Sequence, residues 1–167
     1  MPDQPARRDT LNTLHNPNDI LAECERLAAA ECEGRLTMVG DWTLAQNINH
    51  LAQLMHRTVD GFEPDLRVNP LLAWFMRTFL KKRLLTRFPP TGLKLKPAFQ
   101  RVFIAKPSLD TETALDNLRQ AVEKSNATTT RHPSPILGEL TLNEWNAFQS
   151  RHAEHHLSFA VIQNSGN

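Results

Sequence analysis

Two histidines near the end of the chain have the spacing and the surroundings of metal ligands. They lie in the segment EWNAFQSRHAEHHLSFAVIQ, which we predict to be helical. At about 100° per residue, Trp145, Phe148 and Phe159 fall on one apolar stripe that is expected to face the core. His152 and His156 fall within about 20° of Trp145, so both imidazoles point inward. Burial leaves their ring nitrogens to be satisfied, and an i, i+4 pair can satisfy one nitrogen on each by binding the same metal ion.

A single histidine on an apolar face is more simply explained as a hydrogen-bonded core residue, but two at ligand spacing favour a metal. His155 lies about 60° further round the helix, where it can support the ligands, face solvent or replace one of them. The zinc-protease motif HExxH does not fit, because Ala153 follows the first histidine and Glu154 falls on the opposite face. The spacing therefore argues against a protease of that type.

A metal site needs at least one further ligand from another part of the chain. Acidic side chains are candidates, and so are the histidines His15, His50, His56 and His132. A second predicted helix has its apolar stripe centred near Leu44, with His50 about 120° to one side and His56 about 120° to the other. Spacing alone leaves these two histidines equally well placed.

Four predicted helices with one apolar stripe each must position these side chains. Their predicted bounds are 16–34, 41–61, 110–126 and 142–163. Asn16 is the expected cap of the first helix, and Thr141, with Glu144 three residues on, caps the last. The second helix can begin with either Asp41 or Thr43 as its cap. The pattern predicts an all-α fold, an up-down four-helix bundle.

An insertion separates the second and third of these helices. After Asn69-Pro70, the sequence LLAWFMRTFLKKRLLTRF predicts a helix with apolar residues around most of its circumference, ended by Pro89-Pro90. Residues 89–109 hold four prolines and predict a long irregular loop of the kind that often lines a site. Residues 1–15 are predicted to be a flexible N-terminal arm, so that one domain spans residues 16–167.

The composition is that of a single globular domain. The chain has 167 residues and a formal net charge of +1, which gives no reason to expect a general nucleic-acid binder. We find neither the apolar core of a secretory signal nor a run approaching the ~20 apolar residues of a membrane span, so a cytoplasmic location is expected. Cys24 and Cys32 are then expected to be reduced, buried thiols.

Two stretches of the sequence resemble the DinB/YfiT-like superfamily of metal-binding four-helix bundles. They are WTLAQNINHL, residues 42–51, and HPSPILGELTLNEWNAFQSRHAEHHLSF, residues 132–159. The likeness extends from about residue 18 onward and is closest to a bacterial branch of unknown function. In that superfamily the metal is held by one histidine in a W-x3-Q-x3-H-L context and by an H-x3-H pair of the last helix. The resemblance therefore implies His50, His152 and His156 as the ligands.

One position departs from the pattern of that superfamily. Related sequences usually carry a glutamine three residues after the second histidine of the pair, where this chain has Phe159. A contact to a ligand or to substrate is thereby missing. The superfamily includes proteins similar to transferases and isomerases that use low-molecular-weight thiols, together with many of unknown activity. The resemblance implies the metal site more directly than any reaction.

Three neutral nitrogen ligands leave at least one coordination position open, as in catalytic zinc sites. Imidazole suits zinc or nickel, which we expect first, and also iron, cobalt or manganese. An open position can lower the pKa of bound water for hydrolysis, or hold a substrate thiol as thiolate. The expected enzyme is therefore a metal-dependent thiol transferase or hydrolase, with His155 and His132 as candidates for a catalytic base.

Two other classes of function fit the same sequence. One keeps the metal without catalysis, as a binding or sensor module, and Phe159 slightly favours it. The other takes residues 71–88 as a basic amphipathic helix on a membrane or a partner. Because its apolar residues are not confined to one face, core packing or a homodimer is favoured over a membrane surface. The expected partners are thus a second copy and a small-molecule substrate or thiol, without nucleic acid.

Overall fold

A computed structural model describes residues 7–8, 13–63, 69–87 and 108–163. Much of the predicted N-terminal arm and most of the predicted long loop, residues 88–107, lie outside these ranges. The predictions made for those segments therefore stay predictions. The described part of the chain is mainly helical, with one small two-stranded sheet, which confirms the predicted predominance of helices.

The first two helices begin at side chains that cap their free N–H groups. Helix α1 spans Pro17–Cys32, and the side chain of Asn16 accepts two N–H groups of its first turn. Helix α2 spans Leu44–Asp60 and uses the second of its two predicted caps. The Thr43 hydroxyl accepts the N–H of Gln46 at 3.1 Å, and the Gln46 side chain accepts the N–H of Thr43 at 2.9 Å. This reciprocal pair fixes where α2 begins and thus the register of its histidines.

The insertion after α2 forms one interrupted helix. Its parts are α3 (Pro70–Phe75), a π-helical turn (Met76–Leu80) and α4 (Lys81–Thr86). The Asn69 side chain caps α3, and Pro70 occupies the first turn, where a missing N–H costs nothing. The predicted helical stretch is therefore confirmed, with a wider turn in its middle.

Two further helices follow the segment of residues 88–107. Helix α5 spans Thr111–Ala127 behind the cap Asp110, and helix α6 spans Leu142–Leu157. Thr141 and Glu144 form the predicted capping box at the start of α6. Both helix starts agree with the sequence prediction.

The last helix is shorter than predicted. We expected it to reach about Gln163, but it ends at Leu157, and Ala160–Ile162 form strand β2. This strand pairs antiparallel with β1, Leu36–Met38. The pairing satisfies backbone groups of two distant segments, which periodicity along one segment cannot reveal. The sheet holds the end of α6 beside the segment that leads into α2.

Helices α1, α2, α5 and α6 share one hydrophobic core. Helix α2 packs along α5 and also contacts α6, and α1 contacts both α5 and α6. The fully buried side chains of this core include Ile20, Leu27, Leu44, Ile48, Met55, Leu118 and Leu157. The core therefore holds α2 and α6, the two helices that carry the candidate ligands, in fixed positions.

The two cysteines differ in their environment. Both are free thiols, and Cys24 is buried in the core. Cys32 is exposed, because it is the last residue of α1 and lies at the edge of the core. The prediction that both are buried is wrong for Cys32.

A second, smaller hydrophobic cluster joins the insertion to α6. Its buried members are Leu84, Leu137, Leu140 and Trp145, and Phe62, Met76, Leu80, Ile136 and Phe148 pack against it. Lys81 adds an ion pair with Glu144 at 2.8 Å. No helix in the described ranges is long and apolar enough to cross a membrane.

The described residues of the N-terminal segment contact the end of α6. The backbone N–H of Arg8 donates to the carbonyl of Ser158 at 3.0 Å. Leu14 is buried, and its N–H donates to the Glu154 carboxylate at 3.0 Å. Glu154 also forms a salt bridge with Arg151 at 3.1 Å. Its carboxylate is thus used to anchor the segment that precedes α1.

Candidate metal centre

Three histidines from two helices converge on one point. His50 lies in the second turn of α2, and His152 and His156 lie near the end of α6. The Nε2 atom of His152 is 3.2 Å from Nε2 of His50 and 2.9 Å from Nε2 of His156. One ligand nitrogen of each ring lies within 4.8 Å of those of the other two.

The separations of these nitrogens suit a single metal ion. With metal–nitrogen bonds of about 2.1 Å, two ligand atoms are about 3.4 Å apart at a tetrahedral angle and about 3.0 Å apart at a right angle. The measured 3.2 and 2.9 Å are close to these values. The three rings can therefore bind one divalent ion with little rearrangement.

The structure distinguishes His50 from His56, which spacing along α2 left equally placed. His50 is buried and belongs to the group of three, whereas His56 does not. His56 instead lies near Asp60 in the last turn of α2, whose pKa is lowered first by a hydrogen bond from Lys124 and to a smaller extent by His56. The difference arises because α6 lies against the side of α2 that carries Asn47, His50 and Thr58, and His56 is turned away from that side.

A hydrogen bond to the Asn47 side chain sets the tautomer of one candidate ligand. The Nδ2 atom of Asn47 donates to the carbonyl of Thr43 at 2.9 Å, which directs its Oδ1 atom towards His156. Oδ1 can only accept, so the Nδ1 atom of His156, at 3.2 Å, donates. The lone pair of this neutral ring is then on Nε2, the atom that faces His152. Ligand histidines in metal sites are oriented by this type of contact.

Aromatic rings form the walls of the cluster. The Trp42 ring stacks on His156 with centroids 5.3 Å apart, and its edge contacts His50, also at 5.3 Å. The Phe148 ring stacks on His152 at 5.9 Å. These contacts restrict rotation of the imidazoles and keep water from their faces. The cluster is therefore held in an apolar surrounding in which a bound ion is weakly screened.

Burial disfavours the charged forms of His152 and His156. It is the main reason that the pKa of His152 lies well below its usual range, and the neighbouring His50 and His155 lower it further. The pKa of His156 is lowered in the same way, first by burial and then by the surrounding histidines and Arg7. A neutral ring has the free lone pair that metal binding requires.

His155, a candidate catalytic base, lies beside the cluster and faces the N-terminal segment. Its Nδ1 atom is 3.1 Å from Nη2 of Arg7, and its ring meets that of His156 edge-on with centroids 5.2 Å apart. The Arg7 guanidinium also lies 4.4 Å from the centroid of the Phe159 ring. Phe159, the position at which the sequence departs from the pattern that the DinB/YfiT-like resemblance implies, thus contacts Arg7.

His132, the other candidate base, lies at the opposite end of α2. Its backbone N–H donates to the carbonyl of Thr58 at 2.8 Å, and its ring lies beside Gly61. Thr58 is about two helical turns beyond His50. The structure therefore does not bring His132 to the three histidines.

Sequence reasoning did not assign roles to Asn47, Phe148 or Arg7. The signal for Asn47 was present, because it lies three residues before His50 and four after Thr43 on one helix. Phe148 was assigned to the core stripe, and its place four residues before His152 is the i, i+4 spacing of stacked side chains. Nothing in the sequence indicated a role for Arg7, since the residues that it contacts lie near the other end of the chain.

The fold and the site define a mainly helical protein in which three convergent histidines can hold a metal ion. Over residues 7–163 the chain matches the family described as "Protein of unknown function (DUF1569)", and it belongs to that family. The match includes all three histidines. No curated protein and no solved structure matches the chain.

The lowered pKa values predict how stability depends on pH in the metal-free protein. Below about pH 6.5 the unfolded chain binds protons at His152 and His156 that the folded chain does not, so acid favours unfolding. With two such groups, the free energy of unfolding is expected to fall with a slope approaching about 2.7 kcal/mol per pH unit. Urea unfolding in the presence of a chelator, from about pH 7.5 to about pH 5, measures this slope.

Variants assign that slope to the two histidines. Replacing both His152 and His156 by glutamine is expected to flatten it, whereas His15→Gln, which removes an exposed histidine, keeps it. An unchanged slope in the double variant would contradict the assignment.

Proposed function

We propose that this protein is a DinB-type four-helix-bundle metalloprotein that binds one divalent transition-metal ion through His50, His152 and His156. The observation that carries the proposal is the convergence of three ε-nitrogens at separations that suit one ion. The shared core of α1, α2, α5 and α6 supports the bundle, with the insertion between the second and third of these helices.

The three imidazole nitrogens favour an ion that binds nitrogen ligands and has a further coordination position for another ligand. Zinc or nickel suits three neutral nitrogens, and iron, cobalt or manganese are alternatives. Among the described residues, no carboxylate belongs to the group of candidate ligands. The full charge of a divalent ion would therefore act on a fourth ligand, and it would lower the pKa of a coordinated thiol or water.

The first function that we propose is that of a metal-dependent transferase whose co-substrate is a low-molecular-weight thiol. The site supports this reaction because an uncompensated divalent charge favours a thiolate, and because the aromatic walls exclude water that would compete with it. Trp42 and Phe148 keep the ligand rings in place, and Asn47 holds His156 in the tautomer that presents Nε2. A hydrolase would need a base at the site, for which His155 is the nearest candidate among the described residues.

A non-catalytic metal-binding or sensor module is the alternative function. The observation that favours it is the replacement of the usual glutamine by Phe159, whose ring contacts Arg7 and meets His155 at 5.6 Å. This side chain cannot donate or accept a hydrogen bond to substrate. A cytoplasmic location and a homodimer stay predictions for either function.

Metal analysis of single variants tests the site. The purified protein, loaded and then freed of excess ion, is expected to hold about one ion per chain. His50→Ala, His152→Ala and His156→Ala are each expected to lose it, because each removes one of three ligands. His56→Ala on the same helix is the matched control and keeps the ion. Loss in His56→Ala with retention in His50→Ala would overturn the ligand set, provided that circular dichroism shows both variants folded.

Replacing Asn47 tests the positioning of His156. Asn47→Leu keeps a side chain of similar size but removes the acceptor for Nδ1, so metal affinity is expected to fall about 10- to 100-fold. Asn49→Leu, which alters a neighbouring amide hydrogen-bonded to Asn117 at 3.2 Å, is the control and keeps the affinity. Competition against a chromophoric chelator measures both affinities. Equal affinities in the two variants would contradict the role of Asn47.

Turnover assays distinguish the two functions. The metal-loaded protein is given a model electrophile together with each of a panel of cellular thiols, and the rate is compared with that of the metal-free protein and of His152→Ala. A rate that needs the metal and one particular thiol supports the transferase. A metal-dependent rate with esters but with no thiol supports the hydrolase. Absence of any metal-dependent rate, with the ion bound, supports the binding or sensor module.

A further inference from the structure

An exposed apolar surface lies on α3 and the π-helical turn. Its members, which we call the apolar ridge, are Leu71, Leu72, Trp74, Phe75 and Phe79. Leu71 is 78% exposed, and Trp74 and Phe79 are each 60% exposed. The Phe79 ring contacts those of Trp74 and Phe75, with centroids 5.9 and 5.2 Å apart. The ridge is therefore one continuous patch rather than scattered side chains.

The opposite side of the same helical segment is already packed. Ala73 and Leu84 are buried, and Met76 and Leu80 pack against the small cluster around Trp145. These contacts anchor the segment to α6. The inner side of the segment is thus fixed by packing, and the ridge faces outward. The ridge is therefore not exposed merely because the helix has no packing partner.

The segment that carries the ridge is strongly basic. Residues 66–109 contain ten of the 19 Lys and Arg residues and none of the 18 Asp and Glu residues. The remaining nine basic and 18 acidic residues give the rest of the chain a formal charge of −9, so the overall +1 conceals a segment of +10. Lys82 and Arg83 are exposed and lie three and four residues after Phe79, on the line that continues the ridge.

We propose that the apolar ridge and the exposed basic residues beside it attach this protein to the surface of an anionic lipid bilayer. Trp and Phe side chains with Leu enter the boundary between headgroups and acyl chains, and adjacent Lys and Arg contact the lipid phosphates. The long stems of Lys82 and Arg83 extend to the headgroups while the ridge inserts.

At this surface, charge favours a membrane over a second copy of the chain, although the sequence alone favoured a homodimer. In a symmetric dimer built on the ridge, the exposed Lys82 and Arg83 of one copy would lie near those of the other, and like charges would repel across the interface. A bilayer that contains anionic lipids supplies the opposite charge and an apolar layer together. Nucleic acid supplies the charge alone and leaves Leu71 and Leu72 without an apolar environment. This surface does not depend on the three histidines or on a bound metal.

Vesicle flotation with the full chain tests the attachment. The protein is mixed at low salt with vesicles of phosphatidylcholine alone or of phosphatidylcholine with phosphatidylserine. We expect it to float with the vesicles that contain phosphatidylserine and to stay behind with phosphatidylcholine alone. Added salt is expected to weaken the binding, because screening reduces the attraction of the basic residues. Absence of flotation with both kinds of vesicle would overturn the proposal.

Paired variants separate the apolar and the electrostatic contributions. Trp74→Ser with Phe79→Ser removes the centre of the ridge, and Lys82→Gln with Arg83→Gln removes two charges. Each pair is expected to lower vesicle partitioning by about tenfold or more. Arg26→Gln with Arg35→Gln removes the same charge at ion-paired sites outside the segment and is the matched control. Equal loss in the control would show that net charge, not this surface, drives the binding.

Two further measurements identify a different occupant. Analytical ultracentrifugation that finds a dimer in the parent chain and a monomer in Trp74→Ser with Phe79→Ser would assign the ridge to a second copy and overturn the membrane proposal. Strong binding to duplex DNA that survives loss of the ridge would overturn it as well. Thermal unfolding and metal content are followed in every variant. If a variant unfolds and binds metal as the parent chain does, its loss of vesicle binding is due to the ridge and not to the metal site.

Discussion

The convergence of three imidazoles at one point, two of them buried and the third half-buried, is the constraint on which the rest of the structure depends. A neutral imidazole has one N–H and one lone pair, and in an apolar surrounding both need partners. His152 has Nε2 of two other histidines within 3.2 Å, so at most one of the three rings can place a proton in that space at a time. A cation at the centre satisfies three lone pairs at once. The lowered pKa values of His152 and His156 have the same origin, because burial disfavours the charged form.

The elements around the cluster hold these rings in register. The capping box of Thr43 and Gln46 sets the start of α2, and the Thr43 carbonyl also orients the Asn47 amide that faces His156. The small sheet ties the end of α6 to the chain before α2, the segment that carries Trp42. Local hydrogen bonds of ordinary strength thereby determine the geometry that brings the three candidate ligands together.

The inner and outer sides of the insertion differ in their chemistry. Its inner side extends the cluster of Trp145 and Phe148, and Phe148 in turn stacks on His152. Its outer side combines exposed aromatic rings with the exposed Lys82 and Arg83. A net charge near zero for the whole chain concealed this separation, because an acidic remainder balances the basic segment. Charge distribution, rather than total charge, describes the surface of this protein.

The sequence by itself determined the helices, their caps and the inward direction of His152 and His156, because these depend on hydrogen bonds and periodicity within one segment. It could not choose between His50 and His56, since that choice depends on which side of α2 faces α6. The predicted end of α6 was wrong for the same reason, because Ala160–Ile162 pairs with a strand more than a hundred residues away. The exposure of Trp74 and Phe79 also depends on which side of the insertion packs against the rest of the protein. Only the tertiary structure decided these points, because each depends on contacts between segments that are distant along the chain.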